Sequence, residues 1–161
     1  RRTVHGARGG RVSYYVDERG AGPPLVLVHS VNAAAAAHEV RPLFERWRGA
    51  RPVYAPELPG FGFSERGDRE YTPALYADAL DEFLAAVLPP GVACDLVALS
   101  LAGEFAAMVA ERAPERVRSL VLVSPTGFSL PSQRGGERQR RETSAPGIAE
   151  RVLSLPLVGQ P

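Results

Sequence analysis

Short, continuous runs of apolar residues alternate along the chain with longer stretches in which apolar residues recur at helical spacing. The runs lie within residues 25–28, 52–55, 95–99 and 120–123, of which the third begins with Asp95. Runs of this length, bounded by glycine, proline or polar residues, are typical of strands. Those at 25–28 and 120–123 are apolar throughout, which predicts burial on both faces. Upstream, residues 2–8 and 11–17 form two strand-like stretches, and the intervening pair Gly9 and Gly10 predicts a two-residue hairpin turn.

Three stretches with helical spacing separate these runs. They cover residues 40–47, 73–88 and 101–112. The second has the clearest start, because Thr72 can cap the helix and Pro73 fits its first position. On the first, the predicted apolar face consists of Val40, Leu43, Phe44 and Trp47. Strands that alternate with helices predict an α/β protein with a mostly parallel sheet and right-handed crossovers.

Ser100 stands between the run at 95–99 and the helical stretch that follows it. Ala98 and Ala102 lie two residues to either side, and Gly103 comes one place later. Strand, tight turn and helix with a serine at the corner is the geometry of a nucleophile elbow, whose usual pattern is Gly-x-Ser-x-Gly. A serine in this position is otherwise typical of a helix N-cap, so both interpretations stay open at this point.

Composition and charge mainly exclude classes of function. The 161 residues suffice for one domain, and a formal net charge of +1 gives no electrostatic reason to expect a nucleic-acid partner. The one cysteine, Cys94, excludes an internal disulfide and a cysteine-based metal cluster. No apolar run reaches the roughly 18 residues of a membrane span. We therefore expect a cytoplasmic protein with no metal, no cofactor and no membrane contact.

Three segments together resemble the α/β-hydrolase fold family over about residues 10–130. Residues 25–31 resemble its strand and His-Gly loop, and 97–103 occupy the place of its nucleophile elbow. Residues 58–64 are similar to its Asp-x-Pro-Gly-x-Gly-x-Ser loop, with Glu57 near the usual aspartate. The resemblance implies the family's mostly parallel sheet with flanking helices and an N-terminal hairpin. Besides the two alanines of the elbow, Ser30 departs from the family by replacing a glycine, and it would be strained if its φ were positive.

The resemblance also implies the roles of individual residues. Ser100 would be the nucleophile, and the backbone N–H groups of Val31 and Leu101 would form the oxyanion hole. Leu101 also begins a helix, whose dipole favours negative charge at that point. The predicted substrate-binding residues of the loop after the first buried run are His29, Ser30 and Asn32. No metal ligand is implied.

A serine nucleophile needs a base and an acid, and in this family both follow the serine in the chain. No histidine follows Ser100; the three present are His5, His29 and His38. Asp95 lies about 16 Å from Ser100 along an extended strand and cannot be the acid. The resemblance therefore implies the first part of a longer protein.

We expect residues 1–130 to be the N-terminal part of the core domain and 131–161 the start of a lid, so that the fold is truncated after about its sixth strand. The apolar strand at 120–123 would then be an open edge, which predicts that the isolated chain is poorly soluble or needs a partner segment.

The leading hypothesis is a serine hydrolase that cleaves a carboxylic ester or related acyl bond in a small molecule. The resemblance disfavours dehalogenase chemistry, because family members with that activity carry aspartate at the elbow, where this sequence has Ser100. The alternative is a non-catalytic binding module of the same fold, or an inactive fragment. The alanines of the elbow and the missing histidine motivate this alternative, and an active-site serine probe distinguishes the two.

Overall fold

The secondary structure is that of a computed structural model, which describes residues 1–126. The strands are β1 (Arg2–Gly6), β2 (Gly10–Asp17), β3 (Leu25–Val28), β4 (Val53–Pro56), β5 (Cys94–Leu99) and β6 (Val117–Val123). The α-helices are α1 (Arg41–Trp47), α2 (Pro73–Val87) and α3 (Ala102–Arg112). Two short 3-10 helices cover Ala37–Val40 and Pro114–Arg116. Strands and helices therefore follow the order that the apolar pattern predicts.

The strands form one sheet in the order β1-β2-β4-β3-β5-β6. β1 and β4 run antiparallel to β2, whereas β4, β3, β5 and β6 are parallel to one another. The predicted α/β fold with a mostly parallel sheet and an N-terminal hairpin is confirmed. In the register of β3 with β5, Val28 lies opposite Ala98. The loops that follow these two strands consequently leave the sheet side by side.

Helices cover the two faces of the sheet. α2 and α3 pack on one face, where Phe83 and Phe105 are each 1% exposed. The first 3-10 helix and α1 pack on the other, around Leu27 and Val53. Thr72 caps α2 as predicted, because its Oγ1 accepts a hydrogen bond from the Leu75 N–H at 3.2 Å. None of the helices within residues 1–126 has both the length and the apolar character needed to cross a bilayer.

The first hairpin differs from its predicted form. Gly6 pairs with Gly10, so the connection is the three-residue loop 7–9 rather than a two-residue turn at the two glycines. Helix α2 explains the wider loop, because the Glu82 carboxylate accepts the Arg8 and Gly9 N–H groups at 3.0 and 2.9 Å. A long-range hydrogen-bond acceptor therefore overrides the local turn preference.

The prediction that β6 is buried on both faces is wrong for the described residues. β6 lies at the edge of the sheet that they form, and Val121 and Val123 are 49% and 41% exposed. Leu120 and Leu122 point to the opposite face and pack with the α2–α3 core. Two residues of the predicted apolar face of α1 are likewise more than one third exposed, namely Leu43 and Trp47. The predicted lid segment, residues 131–161, lies outside the described part of the chain.

Candidate active site

Ser100 occupies the tight turn between β5 and α3. Its φ of +52° is in the left-handed region, which among the non-glycine residues of 1–126 only Ser124 shares. This conformation costs a serine about 1 kcal/mol or more, so the surrounding structure must hold it. The Ser100 N–H donates to the Val123 carbonyl at 2.9 Å, and the Ser100 carbonyl accepts the Gly103 N–H at 3.0 Å. Both β6 and α3 thus fix the turn.

The small residues around Ser100 have separate roles. Ala98 and Ala102 are fully buried, so the turn accommodates a methyl group at each position where the family pattern has glycine. A Cβ on Gly103 would lie 3.3 Å from Leu122 Cδ2, so this glycine lets α3 approach β6 closely. The N-cap interpretation of Ser100 is wrong, because Leu101 is the N-cap residue of α3 and no side chain caps the helix.

His29 begins the loop after β3 and is completely buried. Its Nε2 accepts the Leu58 N–H at 3.0 Å, and its Nδ1 lies 2.6 Å from the Ser30 carbonyl oxygen. The proton must therefore be on Nδ1, donated to that oxygen. Burial lowers the pKa of His29, which agrees with a neutral ring. Because both nitrogens are occupied, the arrangement argues against the predicted substrate contact of this ring and against a role as base.

One carboxylate binds the loop that contains Ser30 and Asn32. Glu39 Oε2 accepts the Ser30 N–H at 2.8 Å, and the Ser30 hydroxyl lies 2.9 and 2.8 Å from Oε1 and Oε2. Asn32 Nδ2 donates to Ser30 Oγ at 2.6 Å and to Glu39 Oε1 at 3.2 Å. Partial burial raises the pKa of Glu39, but these hydrogen bonds outweigh it and leave the pKa lowered. The φ of Ser30 is not positive, so the strain considered for it is absent.

Glu39 is a residue that the sequence analysis missed. It is the one acidic residue between Glu18 and Glu45, which is the signal that could have identified it. Ser30 is nine positions away, and apolar periodicity gives no indication that the two side chains meet. The contact depends on the 3-10 helix Ala37–Val40, which turns the chain back toward the loop.

The predicted oxyanion donors lie at the carboxyl ends of adjacent strands. Val31 comes three residues after Val28, and Leu101 comes three residues after Ala98, the partner of Val28 in the parallel register. Within residues 1–126, neither the Val31 N–H nor the Leu101 N–H donates a hydrogen bond to a protein acceptor. Both groups therefore lack a protein acceptor among the described residues, and they follow strands that end at the same edge of the sheet as Ser100.

The loop at residues 57–64 is held in shape by Glu57 and joined to His29 by Leu58. The Glu57 carboxylate accepts the Phe63 N–H at 2.7 Å, and the Ser64 hydroxyl donates to the Glu57 carbonyl at 2.5 Å. Gly62 has a φ of +49°, and a Cβ there would lie 2.0 Å from the Glu57 carboxyl carbon. Because Leu58 also donates to His29, this loop supports the loop after β3.

The other two histidines lie away from Ser100. His5 is on β1, four strands from β5, a separation of about 19 Å. His38 lines a cleft of about 480 Å³ together with Tyr15, Phe44 and Phe63, and Ser100 is not part of this lining. The part of the chain that the structure describes therefore contains the serine and the two predicted oxyanion donors. It contains no histidine positioned as the base for Ser100.

Comparison with known proteins agrees with this geometry. The family model for the alpha/beta hydrolase fold matches residues 23–157. The chain is 34% identical over 140 residues to a 2-hydroxymuconate semialdehyde hydrolase of Pseudomonas putida, covering 86% of this chain and 49% of that protein. It is 33% identical over 125 residues to a pimeloyl-(acyl-carrier protein) methyl ester esterase of Nitrosospira multiformis, covering 73% and 44%. The chain thus spans about half the length of the curated relatives it matches.

Solved structures give the same result. A serine hydrolase involved in carbazole degradation, the CarC enzyme, is similar with a TM-score of 0.67 and 28% identity, covering 80% of this chain and 49% of that one. A variant of the meta-cleavage product hydrolase CumD has a TM-score of 0.69 and 25% identity, covering 81% and 47%. From the family match, the strand order and the turn at Ser100, the chain belongs to the α/β-hydrolase fold family, of which it represents the N-terminal part.

Proposed function

We propose that the protein is a serine hydrolase that cleaves a carboxylic ester or a related acyl bond in a small molecule, with Ser100 as the nucleophile. The observation that carries this proposal is the left-handed backbone of Ser100 at the corner between β5 and α3. Strain at a non-glycine residue persists where the fold requires it, and it is frequent at active sites. Relatives named as an ester esterase and as a serine hydrolase support the same chemistry.

In the proposed reaction, Ser100 Oγ attacks the acyl carbon while its proton passes to a base. The Val31 and Leu101 N–H groups stabilise the oxyanion that forms on the carbonyl oxygen. Leu101 adds the dipole of α3, because it stands at the N-terminus of that helix. His29 is occupied by the backbone, so we place the histidine and the acid of the triad outside these 161 residues. Substrate-binding contributions from Ser30 and Asn32 remain part of the proposal.

Ester hydrolysis by the full natural polypeptide that contains these residues tests the proposal. The substrates are p-nitrophenyl esters of increasing acyl length, and the variant is Ser100→Ala. Ser124→Ala is the matched control, because Ser124 also has a positive φ and also follows a parallel strand. We expect hydrolysis to be lost in the first variant and kept in the second. Undiminished hydrolysis by Ser100→Ala would contradict the role of this serine.

A non-catalytic binding module is the second candidate function. One observation favours it: alanine replaces the glycine of the family pattern at positions 98 and 102. A binder would show ester-dependent thermal stabilisation of the full polypeptide without turnover, and Ser100→Ala would not change it. Turnover that depends on Ser100 would exclude this candidate.

A further inference from the structure

The Glu39 carboxylate holds the chain on both sides of Val31. On the N-terminal side it accepts the Ser30 N–H at 2.8 Å and contacts the Ser30 hydroxyl. On the C-terminal side it accepts Asn32 Nδ2 at 3.2 Å. Of three consecutive residues, the two outer ones are bound to a single side chain. The Ser30 N–H is occupied by the carboxylate, whereas the Val31 N–H between the two held side chains has no acceptor within residues 1–126.

The carboxylate is itself attached to the core. Glu39 belongs to the 3-10 helix Ala37–Val40, and Val40 is fully buried against the same face of the sheet as Leu27 and Val53. The loop after β3 is therefore connected through Glu39 to the strands on which it sits. Such a connection restricts the position of a backbone donor to the small tolerance that oxyanion stabilisation requires.

We propose that Glu39 is a positioning residue for the proposed hydrolysis: by binding Ser30 and Asn32, it holds the Val31 N–H as the oxyanion donor. The inference rests on the proposed function. Glu39 acts through the loop, since its own oxygens are occupied by Ser30 and Asn32. Its binding of the Ser30 N–H also excludes that group as the oxyanion donor, because the N–H cannot serve the oxyanion while it donates to the carboxylate.

Charge and position predict opposite effects of neutralising Glu39. A carboxylate near the loop opposes the negative charge that develops on the substrate oxygen, so removing the charge alone would accelerate the reaction. Loss of position would slow it, because a misplaced donor stabilises the transition state less. The sign of the change in kcat therefore separates the two effects.

Glu39→Gln retains the size of the side chain but cannot satisfy the loop. In the natural protein both carboxylate oxygens accept, one from the Ser30 N–H and the other from Asn32 Nδ2. A glutamine replaces one oxygen with an NH₂ donor, so one of these two donors faces another donor in either orientation. The loop must then shift to recover a hydrogen bond.

The experiment measures kcat and KM for a p-nitrophenyl ester with the full natural polypeptide and its Glu39→Gln variant. We expect kcat to fall about tenfold or more, with KM changed by less than about twofold, since the lost interaction exists mainly in the transition state. Glu115→Gln is the matched control, because its side chain is 69% exposed and its carboxylate lies 3.9 Å from Arg116. Thermal unfolding confirms that each variant is folded.

Amide NMR spectra provide a readout that does not depend on turnover. On acidification, the Ser30 amide and the Asn32 side-chain amide should shift together as Glu39 protonates, and Glu39→Gln should abolish this transition. Absence of the transition in the natural protein would overturn the proposed contact whatever the activity.

Failure of this inference is distinguishable from failure of the proposed function. An active natural enzyme whose kcat is unchanged or raised by Glu39→Gln would overturn the positioning role and leave Ser100 as the nucleophile. A natural enzyme with no Ser100-dependent turnover would overturn the proposed function, and the catalytic role of Glu39 with it.

Discussion

The two ends of strand β5 differ in how completely their polar groups are hydrogen-bonded. At the amino end, the Asp95 carboxylate binds Arg51 Nη2 at 2.6 Å and Ser119 Oγ at 2.5 Å, and it also accepts a hydrogen bond from Arg118. At the carboxyl end, Ser100 has a left-handed backbone, and the adjacent N–H of Leu101 has no acceptor within residues 1–126. The carboxylate at the amino end has three hydrogen-bond partners. The carboxyl end has a strained residue and a backbone N–H without an acceptor among the described residues.

This difference indicates that the two ends of β5 have separate roles, one in stability and the other in activity. The ion pairs of Asp95 connect β5 to β6 through the half-exposed Arg118, and to the segment before β4 through the largely buried Arg51. The rigid sheet can then impose an unfavourable conformation at the other end. Substitutions at the amino end should therefore change stability, and those at the carboxyl end should change activity.

The largest effect is expected for Ser100→Ala in the full natural polypeptide. Removal of a serine nucleophile lowers kcat by on the order of 10⁶-fold in well-studied hydrolases, so activity should fall below detection. Alanine keeps the left-handed strain, so the free energy of unfolding should change by less than about 0.5 kcal/mol. Ester hydrolysis and urea unfolding of the same preparation check both expectations.

Asp95→Ala should have the converse effect. It leaves the largely buried Arg51 without its carboxylate, which should cost about 3 kcal/mol of stability, as for other broken buried pairs, and it also removes the partner of the half-exposed Arg118. The matched control is Asp81→Ala, which breaks the pair with Arg116, whose two side chains are each about one third exposed, and should cost less than about 1 kcal/mol. Urea unfolding measures both values. A loss of kcat in folded Asp95→Ala that exceeds the loss in the control would contradict the proposed separation of roles between the two ends of β5.

The stability that Asp95 contributes should also depend on pH. Burial raises its pKa, but hydrogen bonds from Arg118, Ser119 and Arg51 outweigh burial and leave the pKa lowered. A carboxylate with a lowered pKa stabilises the fold above the unfolded-state value of about 3.9, and this stability is lost as pH falls through the folded-state pKa. The difference between natural protein and Asp95→Ala should therefore narrow on acidification below pH 4.

His29→Leu should destabilise the carboxyl end of the sheet. The Leu58 N–H would lose its acceptor, at a cost of about 1 to 3 kcal/mol. Burial lowers the pKa of His29, so the unfolded chain takes up the proton first as pH falls. His29 should thus make its whole contribution to stability above about pH 6.5. Below that pH the free energy of unfolding should decrease, toward the lowered folded-state pKa.

Unfolding curves at pH 7.5 and 5.5 measure this dependence. His29→Leu should remove it, whereas substitution of the exposed His38 by glutamine should retain it. Equal pH dependence in all three proteins would show that the buried ring does not account for it.

The smallest effect is expected from a comparison of Ser100→Gly with Ser100→Ala. Both variants lack the hydroxyl, but glycine adopts a positive φ without strain. Ser100→Gly should therefore be more stable than Ser100→Ala by up to about 1 kcal/mol, reduced by the greater entropy of glycine in the unfolded chain. A glycine variant clearly less stable than the alanine variant would contradict strain at this position.

The features with a local sequence signal could be predicted. The apolar run before Ser100, the small residues beside it and the helical spacing after it define the turn without any tertiary information. Thr72 and Pro73 likewise define the start of α2, because capping depends only on neighbouring residues.

Features that depend on contacts distant in sequence could not be predicted. Arg51 and Asp95 meet across 44 positions, and Glu82 holds the hairpin loop from 73 positions beyond Gly9. The exposure of Val121 and Val123 depends on which elements cover β6, and an apolar run alone cannot give that information. The contact of Glu39 with Ser30 at the site could not be predicted either, because the two residues are nine positions apart and meet only in the folded chain.

Covalent labelling with a fluorophosphonate tests the central claim, that Ser100 is a nucleophile, most directly. The folded full polypeptide is labelled and digested, and the modified residue is identified by mass spectrometry, with Ser124→Ala and Ser100→Ala treated in parallel. The account predicts one adduct, on Ser100, in the natural protein and in Ser124→Ala, and none in Ser100→Ala. An adduct on another serine, or a folded protein that takes up no label, would contradict it.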